Sequence, residues 1–409
     1  MRLLYTTAIY IYISLIRTAA LFSGRAAAWV KGRRGSGYFS RSPFSDDDRV
    51  WWFHCASLGE FEQGRPLIER VKSDYPEVKV LLTFFSPSGY EVRKKYPLAD
   101  HIIYLPPDTP RNAARFIKTF RPEKVIFIKY EFWYNMLKAA GKSDASIYLV
   151  SAVFREGQPF FKWYGRWFRK QLSLFRHLFI QDRASATLLE SYGITNYTVC
   201  GDTRFDRVNA ISQAAKPLSL IEQFAEGHSV VMAGSSWPTE ENMIAAFVNR
   251  NPGLAKWIIA PHEIDGDHID RIEKLFSVRV LRYSEAEGSG TGDAEVLILD
   301  NFGMLSSAYR YASVAVVGGG FGRGIHNILE PATWGIPVLF GPNHRKFREA
   351  IDMAGAGGGI PFNDSQELAA TLKLLLQDEK ERKRRGLLSR DYVEGSMGAT
   401  DTILKNLNS

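Results

Sequence analysis

Three short motifs in the first half of the chain carry charged side chains in positions suited to proton transfer or anion binding. HCASLGE (54–60) follows the first apolar, strand-like run, KYEFWYN (129–135) follows the fourth, and GDTRFD (201–206) closes that half. Ligands of open parallel sheets bind at the edge where the strands end. The candidate catalytic residues are therefore Glu60, Glu131 and Arg204.

Glu60 has two competing interpretations. Its carboxylate could take a proton from an acceptor hydroxyl, and Gly59 lets a substrate approach the backbone. Ser57 to Glu60 also spells S-x-x-E, a capping box in which both side chains only close a helix. A position at a helix N-terminus is expected to lower the pKa of Glu60 and so to weaken it as a base.

Glu131 and Arg204 each carry an alternative of the same kind. Glu131 offers a second carboxylate to the sheet edge, or simply begins a helix beside aromatic residues. Arg204 lies between two acids, where it could meet an anionic substrate group or form a surface ion pair.

The second half contains VVGGGFGRGIHNILEP (316–331), which reads as a strand, a glycine-rich loop and a helix start. Bare backbone amides at a helix N-terminus form an anion site. The loop lacks GxGxxG and GK[ST], so a single phosphate of a nucleotide sugar fits better than a dinucleotide or a Walker-type nucleotide. Glu330 is placed to form hydrogen bonds with ribose hydroxyls, and His326 or Asn327 would cap the helix.

APHEID (260–265) ends another strand of this half and offers His262 to the same crevice. The run His262, Glu263, Asp265, Asp267 and His268 contains metal-ligand residue types, but its spacing matches no familiar zinc pattern, so no metal is expected. The two cysteines, Cys55 and Cys200, show no metal-ligand spacing either. Cys55 beside His54 could suggest a thiol nucleophile, although a strand-end cysteine is usually core.

The elements that must position these motifs alternate short apolar runs with amphipathic ones, which is typical of a parallel sheet covered by helices. In the first half the runs begin at Val50, Val78, His101, Lys124, Ser146 and His177. In the second half they begin at Ser229, Lys256, Val278, Ala294, Ser313 and Ile336. The pattern predicts an α/β protein with two facing Rossmann-like domains, over 48–210 and 228–409, and ligands between them.

Charge and the N-terminal segment point to anionic surfaces. The net charge is +8, which favours nucleic acid, anionic lipid or phosphorylated substrates. Residues 3–22 are apolar apart from hydroxyl groups and Arg17, and basic residues follow them, which predicts an uncleaved membrane anchor over 1–24, either spanning or lying in the interface. The aromatic and basic segment 160–176 favours an anionic membrane surface or a lipid over helix packing or nucleic acid.

In their order along the chain, the N-terminal segment, HCASLGE, KYEFWYN, GDTRFD, APHE, NFGML and GIHNILEP resemble the Kdo transferase family, which attaches 3-deoxy-D-manno-octulosonic acid (Kdo) to lipid A. The resemblance covers nearly the whole chain. It implies a GT-B fold and transfer of Kdo from CMP-Kdo to a lipid A precursor at the cytoplasmic face of the cell inner membrane. It implies no required metal, no cofactor and no nucleic-acid partner.

Carried over residue by residue, the resemblance makes Glu60 the general base and gives Glu131 and Arg204 a role in stabilising the transition state. It assigns the binding of CMP to Pro261, His262, Gly303, Met304, Leu305, Asn327, Ile328, Leu329 and Glu330. The chain departs from the family at Tyr130–Tyr134, where a Thr-Glu-Leu-Trp-Pro core is usual. It departs again at Met304, where a Glu is usual, so only backbone contacts are expected there.

The reaction this implies is a single displacement with inversion, in which Glu60 deprotonates an acceptor hydroxyl and CMP leaves. The helix start at Asn327 and the cation of Arg204 would receive the phosphate charge. The alternatives are another GT-B nucleotide-sugar transferase or a UDP-sugar epimerase. Outside enzymes, a basic membrane-binding or RNA-binding module is the remaining alternative.

Overall fold

The structure is a computed structural model that describes residues 1–34, 38–286 and 290–407. The chain forms two compact units. One comprises Met1–Asp206 together with the chain's end from Gly398, and the other comprises Arg207–Met397. The end of the chain thus groups with the first unit, whereas the sequence pattern placed it in the second.

The first unit is built on a seven-stranded parallel sheet in the order β3-β2-β1-β4-β5-β6-β7. Every residue of its inner strand Val50–Cys55 is buried, as expected for a strand with helices on both faces. The strands are β1 (Val50–Cys55), β2 (Lys79–Phe84), β3 (His101–Tyr104), β4 (Lys124–Ile128), β5 (Ser146–Ala152), β6 (His177–Ile180) and β7 (Tyr197–Val199).

The second unit contains another seven-stranded parallel sheet, in the order β10-β11-β9-β8-β12-β13-β14. Its central strands carry the apolar core of this unit, with Val231, Ile259 and Val316 among the buried residues. The strands are β8 (Val230–Ser236), β9 (Lys256–Pro261), β10 (Val280–Arg282), β11 (Val296–Ile298), β12 (Val314–Val317), β13 (Val338–Phe340) and β14 (Gly359–Pro361).

Helices connect the strands and cover the sheets. Up to the start of the second unit they are α1 (Arg2–Ala19), α2 (Gly24–Lys31), α3 (Leu58–Asp74), α4 (Pro87–Arg93), α5 (Pro110–Phe120), α6 (Tyr134–Ala140), α7 (Arg166–Leu172), α8 (Arg183–Glu190) and α9 (Thr203–Ala214). After that they are α10 (Ser219–Ala225), α11 (Pro238–Arg250), α12 (Gly266–Glu273), α13 (Tyr283–Ala286), α14 (Leu305–Ala308), α15 (Leu329–Ala332), α16 (Arg348–Ala356), α17 (Ser365–Gln377), α18 (Glu379–Glu394) and α19 (Ala399–Leu407).

The predicted α/β class with two Rossmann-like domains is confirmed, and all twelve predicted strands are present. The two strands that the sequence did not reveal, β7 and β14, each have three residues and lie at a sheet edge. Strand β14 contains Gly359 and Pro361, which are depleted in strands. Edge strands of only three residues carry too little periodicity to be recognised.

Helix α19 joins the first unit through both polar and apolar contacts. The Asp206 carboxylate accepts hydrogen bonds from the amides of Gly398 and Thr400 at 2.6 and 2.7 Å. Ile403 and Leu407 are buried in the same core cluster as β1. These contacts explain why the last helix folds with the sheet of the other half.

The predicted location in the cell inner membrane, with a single N-terminal anchor that spans the bilayer, is wrong. Among the described residues, none of the helices combines the length and the apolar character that crossing a bilayer requires. Helix α1 ends at Ala19, and Ser23 caps a second helix, which divides the apolar segment. A single membrane-spanning anchor at 1–24 is therefore not supported, and neither is the cell inner membrane location that rested on it.

Instead, α1 packs on the first unit along one face. Tyr5 donates its hydroxyl to the buried Asp108 at 2.7 Å, and the Tyr12 ring stacks on Phe85. The opposite face exposes Leu3, Leu4, Ile11 and Leu15.

The aromatic and basic segment 160–176 also serves mainly in packing. Phe160, Phe161 and Phe175 are buried in the core of the first unit, and Arg169 donates to the Phe160 carbonyl at 2.6 Å. Trp163 is exposed. The helix-packing alternative therefore accounts for most of this segment, and the contacts do not show the predicted anionic membrane surface as a partner.

Candidate functional site

Glu60 lies in the first turn of α3, directly after β1. Ser57 accepts a hydrogen bond from the Glu60 amide at 3.5 Å, and the Glu60 carboxylate accepts one from the Ser57 amide at 3.1 Å. The capping box of the sequence analysis is thus present. The hydrogen bond from the Ser57 amide occupies Glu60 Oε2 and holds the Glu60 side chain in one position at the edge of the sheet.

The expected depression of the Glu60 pKa is wrong. Burial and the nearby negative charge of Glu131 raise the pKa of Glu60 to about 7. The capping amides and the charge of Lys129 oppose that increase without cancelling it. A carboxylate in this state is matched to proton transfer near neutral pH, so capping and base catalysis are compatible at this residue.

Glu131 follows β4 and is fixed by two rings. His54 Nε2 lies 3.2 Å from Glu131 Oε2, and the Trp133 indole N–H donates to the same oxygen. The other ring nitrogen of His54 bonds the Thr83 hydroxyl at 2.8 Å. His54 is fully buried. The second carboxylate is therefore held by His54 of β1 and Trp133 before α6, and Thr83 of β2 positions His54. Glu131 does not begin a helix.

Two residues at neighbouring strand ends adopt the left-handed conformation that side chains usually avoid. Lys129 after β4 has φ 71°, and Ser151 in β5 has φ 57°. Such strain concentrates at functional sites. The Lys129 charge lowers the pKa of both Glu60 and Asp202, which places this cation near both motifs.

Arg204 is anchored by Asp202 in a largely buried network. The guanidinium donates to Asp202 Oδ2 from Nε at 3.0 Å and from Nη2 at 2.8 Å. Gln63 of α3 and Gln181 donate to the same oxygen, each at 3.1 Å. Burial opposes ionisation of Asp202, but Arg204 outweighs it and the pKa of Asp202 is lowered. The acid of this ion pair is therefore buried. Through Asp202 and Gln63, the network also links Arg204 to α3, the helix that carries Glu60.

Cys55 has no nucleophilic character. It is fully buried at the end of β1, and burial raises its pKa well above the usual value. A thiol kept protonated in apolar surroundings is inert. The core interpretation of this residue fits the structure.

In the second unit, the glycine-rich loop follows β12 and packs against other loops. A Cβ on Gly318 would lie 2.2 Å from the Ser235 carbonyl oxygen, and Gly319 has φ 88°. The amides of Gly322 and Gly324 bond the Gly319 carbonyl, and that of His326 bonds the Gly318 carbonyl. Packing therefore requires glycine at 318, and the backbone conformation favours it at 319. Fewer amides are bare than the sequence suggested. Helix α15 has only four residues.

Ser306, next to the segment 303–305, contacts Glu330 in the segment 327–330. Ser306 donates to Glu330 Oε2 at 2.6 Å, and Asn327 donates to Glu330 Oε1 at 3.0 Å. Asn327 Oδ1 also accepts from the Leu329 amide, as the predicted cap does. Ile328 and Leu329 are buried, so they offer backbone rather than side chains. Gly303 has φ 94°, and Met304 and Leu305 begin α14.

Pro261 ends β9, and His262 joins a stack of three rings. The His262 ring lies 4.8 Å from Trp237 and 4.3 Å from His326, nearly parallel to both. Trp237 donates its indole N–H to His326 Nε2 at 2.9 Å. Burial and the neighbouring His262 lower the pKa of His326 to about 4, so this ring is neutral at physiological pH.

Sequence reasoning missed the residues that hold the charged ones in place, among them His54, Thr83, Lys129, Ser306 and Trp237. A usable signal existed for two of them. His54 and Thr83 are polar residues inside otherwise apolar strand runs, and a buried polar group needs a hydrogen-bond partner.

The chain is similar in sequence to several known proteins. Residues 31–207 match the family model described as 3-deoxy-D-manno-octulosonic-acid transferase (kdotransferase). The 3-deoxy-D-manno-octulosonic acid transferase of Aquifex aeolicus is 28% identical over 354 residues, covering 85% of this chain and 91% of the relative. The transferase of the same name from Rickettsia bellii is 26% identical over 377 residues, covering 89% of this chain and 87% of the relative.

Solved structures show the same fold. The UDP-GlcNAc 2-epimerase of Neisseria meningitidis, bound to UDP-GlcNAc, superposes with a TM-score of 0.61 at 17% identity, over 88% of this chain and 98% of that one. A glycosyltransferase from Rickettsia africae superposes with a TM-score of 0.56 at 12% identity, over 88% of this chain and 97% of that one. At such identities the likeness establishes the architecture alone.

The sequence likenesses define the class of protein, and the chain is a glycosyltransferase. More narrowly, its sequence is similar to 3-deoxy-D-manno-octulosonic acid transferases over 85–89% of the chain.

Proposed function

We propose that the chain transfers Kdo from CMP-Kdo to a lipid A precursor in lipopolysaccharide core biosynthesis. The names of its sequence relatives support the transferred sugar. The observation that carries the chemistry is Glu60, a carboxylate whose pKa is raised to about 7 beside a second, fixed carboxylate. The residue roles below are part of the same proposal.

In the proposed reaction, ionised Glu60 removes the proton from an acceptor hydroxyl. The oxygen attacks the anomeric carbon of Kdo as the bond from that carbon to the phosphate oxygen breaks. CMP leaves with the bonding electron pair, the anomeric configuration inverts, and Glu60 keeps the proton until it exchanges with water. A base with a pKa near the working pH suits this step, because enough of it is ionised while it still binds the proton well.

Glu131 and Arg204 supply charge around the reacting groups. Glu131 raises the pKa of Glu60, and His54 and Trp133 keep it in place. The Arg204 fork is oriented by Asp202, which suits a planar anionic group such as the Kdo carboxylate. Preorganised charges of this kind cost no rearrangement during the reaction.

For the donor, we assign CMP to the second unit. The flat face of the stack formed by Trp237, His262 and His326 suits a pyrimidine ring. Glu330, positioned by Ser306 and Asn327, suits ribose hydroxyls. Since Met304 has no carboxylate, residues 303–305 contribute only backbone to the ligand.

For the acceptor, a cavity of about 1090 Å³ in the first unit combines cationic and apolar walls. Among the described residues, every charged side chain that lines it is basic, including Arg17, Lys31, Arg34 and Arg111. Ile13 and Leu21 contribute apolar surface. This combination suits a molecule that carries both phosphate groups and hydrocarbon chains, as a lipid A precursor does.

The decisive experiment incubates the full chain with CMP-Kdo and a detergent-dispersed lipid A precursor and follows the acceptor by mass spectrometry. Addition of Kdo is expected with the phosphorylated acceptor, and much less with the enzymatically dephosphorylated one. The epimerase alternative is tested in parallel with UDP-GlcNAc. Epimerisation without Kdo transfer, or transfer from a UDP-sugar instead, would contradict the proposal.

A further inference from the structure

A cluster of metal-ligating residues lies in the segment after β9 and the first turn of α12, and the proposed transferase chemistry does not use it. A ring nitrogen of His268 and one carboxylate oxygen each from Glu263 and Asp265 lie within 4.8 Å of one another. Ligand atoms on one tetrahedral transition-metal ion, bound at about 2.0–2.2 Å, are about 3.4 Å apart. The three groups would therefore have to move together by up to about 1.4 Å to share an ion, and the two carboxylates are exposed and can rotate.

His268 is held by a buried carboxylate outside this cluster. Only 7% of His268 is exposed. Its Nε2 lies 3.0 and 3.1 Å from the two carboxylate oxygens of Glu241. Glu241 is fully buried and accepts a further bond from the Ser236 hydroxyl at 3.0 Å. A histidine that donates one N–H to a carboxylate keeps the lone pair of its other nitrogen available, and metal-binding histidines are oriented in this way.

The carboxylates around His268 favour a bound cation. Arg271, which lines the same cavity, lies 3.8 Å from the buried Glu241 carboxylate. Asp265 uses Oδ1 to accept the His268 amide at 3.0 Å, which leaves Oδ2 for a ligand. Within the described part of the chain, the exposed Glu263 makes no ion pair.

We propose that Glu263, Asp265 and His268 bind one divalent transition-metal ion such as Zn²⁺ or Mn²⁺, with water completing its coordination. One imidazole and two carboxylates are ligands that these ions accept, whereas Mg²⁺ prefers oxygen ligands alone. The ion would lie in a cavity of about 240 Å³ that Trp237 also lines. It would fix the segment that follows Pro261 and His262, without taking part in the transfer itself.

The test uses the full chain, stripped of metal by a chelator and titrated with Zn²⁺, Mn²⁺ or Mg²⁺ by calorimetry. One saturable site is expected for Zn²⁺ or Mn²⁺ and none for Mg²⁺. Glu263→Gln and Asp265→Asn should each weaken binding at least tenfold, and both lie on the surface, where folding tolerates them. Asn still caps the helix, so the second variant isolates the charge.

The matched control is Asp267→Asn, which removes an exposed acid from the same cavity but not from the ligand cluster, and should change affinity less than twofold. The ion should also raise the melting temperature of the parent protein and not that of the Glu263→Gln/Asp265→Asn double variant. Absence of a saturable site, or an equal loss in the Asp267→Asn control, would show that His268 only pairs with Glu241. Neither result bears on Kdo transfer, which is measured separately.

Discussion

The two units hold their candidate functional residues in different ways. In the first, Glu131 and Arg204 are fixed by side chains, namely His54, Trp133 and Asp202. In the second, the glycine-rich loop is fixed by its own backbone, which contacts neighbouring loops so closely that side chains are excluded. Burial disfavours the charged form of a side chain in both units. It raises the pKa of Glu60 in the first unit and lowers the pKa of His326 in the second.

This difference follows from the proposed tasks. A base and its partners must be positioned to a fraction of an ångström, and hydrogen-bonded side chains from several strands do this. A nucleotide needs a surface that accepts phosphate and a flat ring, and backbone and aromatic faces provide it. Substitutions should accordingly affect turnover in the first unit and donor binding or stability in the second.

The largest effect is expected for Glu60→Gln. If Glu60 is the base, kcat should fall by roughly 10² to 10⁴, while CMP-Kdo binding is nearly unchanged. Gln still completes the capping box, so the helix keeps its cap. Because the folded-state pKa of Glu60 lies above the unfolded value, ionisation of Glu60 destabilises the fold, and the stability of the variant relative to the parent should rise from about pH 4.5 to about pH 7.

The measurements are steady-state rates, donor affinity by calorimetry and melting temperatures across that pH range. Ser57→Ala serves as the control, since it removes the cap and retains the base. It should cost about 1 kcal/mol of stability and little turnover. Near-normal turnover of Glu60→Gln would leave capping as the only role of Glu60.

A smaller effect is expected for Gly318→Ala in the second unit. The added Cβ would meet the Ser235 carbonyl at 2.2 Å, and backbone atoms cannot move aside without distorting the loop. A loss of about 1–3 kcal/mol of stability and weaker CMP binding should follow. Gly322→Ala is the matched control, because its nearest neighbour, the Gly319 oxygen, is 3.6 Å away. Equal melting temperatures and CMP affinities for the two variants would refute the close-packing explanation.

The smallest effect is a shift in pH dependence on Glu131→Gln. The proposed base must be ionised, so kcat should rise with pH through about 7 in the parent protein. Removing the negative charge of Glu131 lowers the pKa of Glu60, and the rising limb should move to lower pH. Rate profiles from pH 5 to 9 measure the shift. An unchanged midpoint would mean that the two carboxylates do not interact.

The strand and helix pattern was readable because it depends on local periodicity. Runs such as VWWFHC and KWIIAP are apolar apart from His54 and Lys256, as expected for strands buried on both faces. The N-terminal segment shows the limit of that reasoning, because its composition resembles an anchor while Tyr5 and Tyr12 make contacts that only the folded unit provides.

The sequence also determined where the motifs lie and which family the chain resembles. Glu60, Glu131, Arg204 and His262 all follow the ends of strands, and a parallel sheet binds its ligands at that edge. The tertiary structure alone decided their electrostatics. The pKa of Glu60 depends on burial and on Glu131, 71 residues later in the chain, whereas its local position at a helix N-terminus predicts the opposite shift. Charge interactions act through space, and periodicity within one segment carries no information about them.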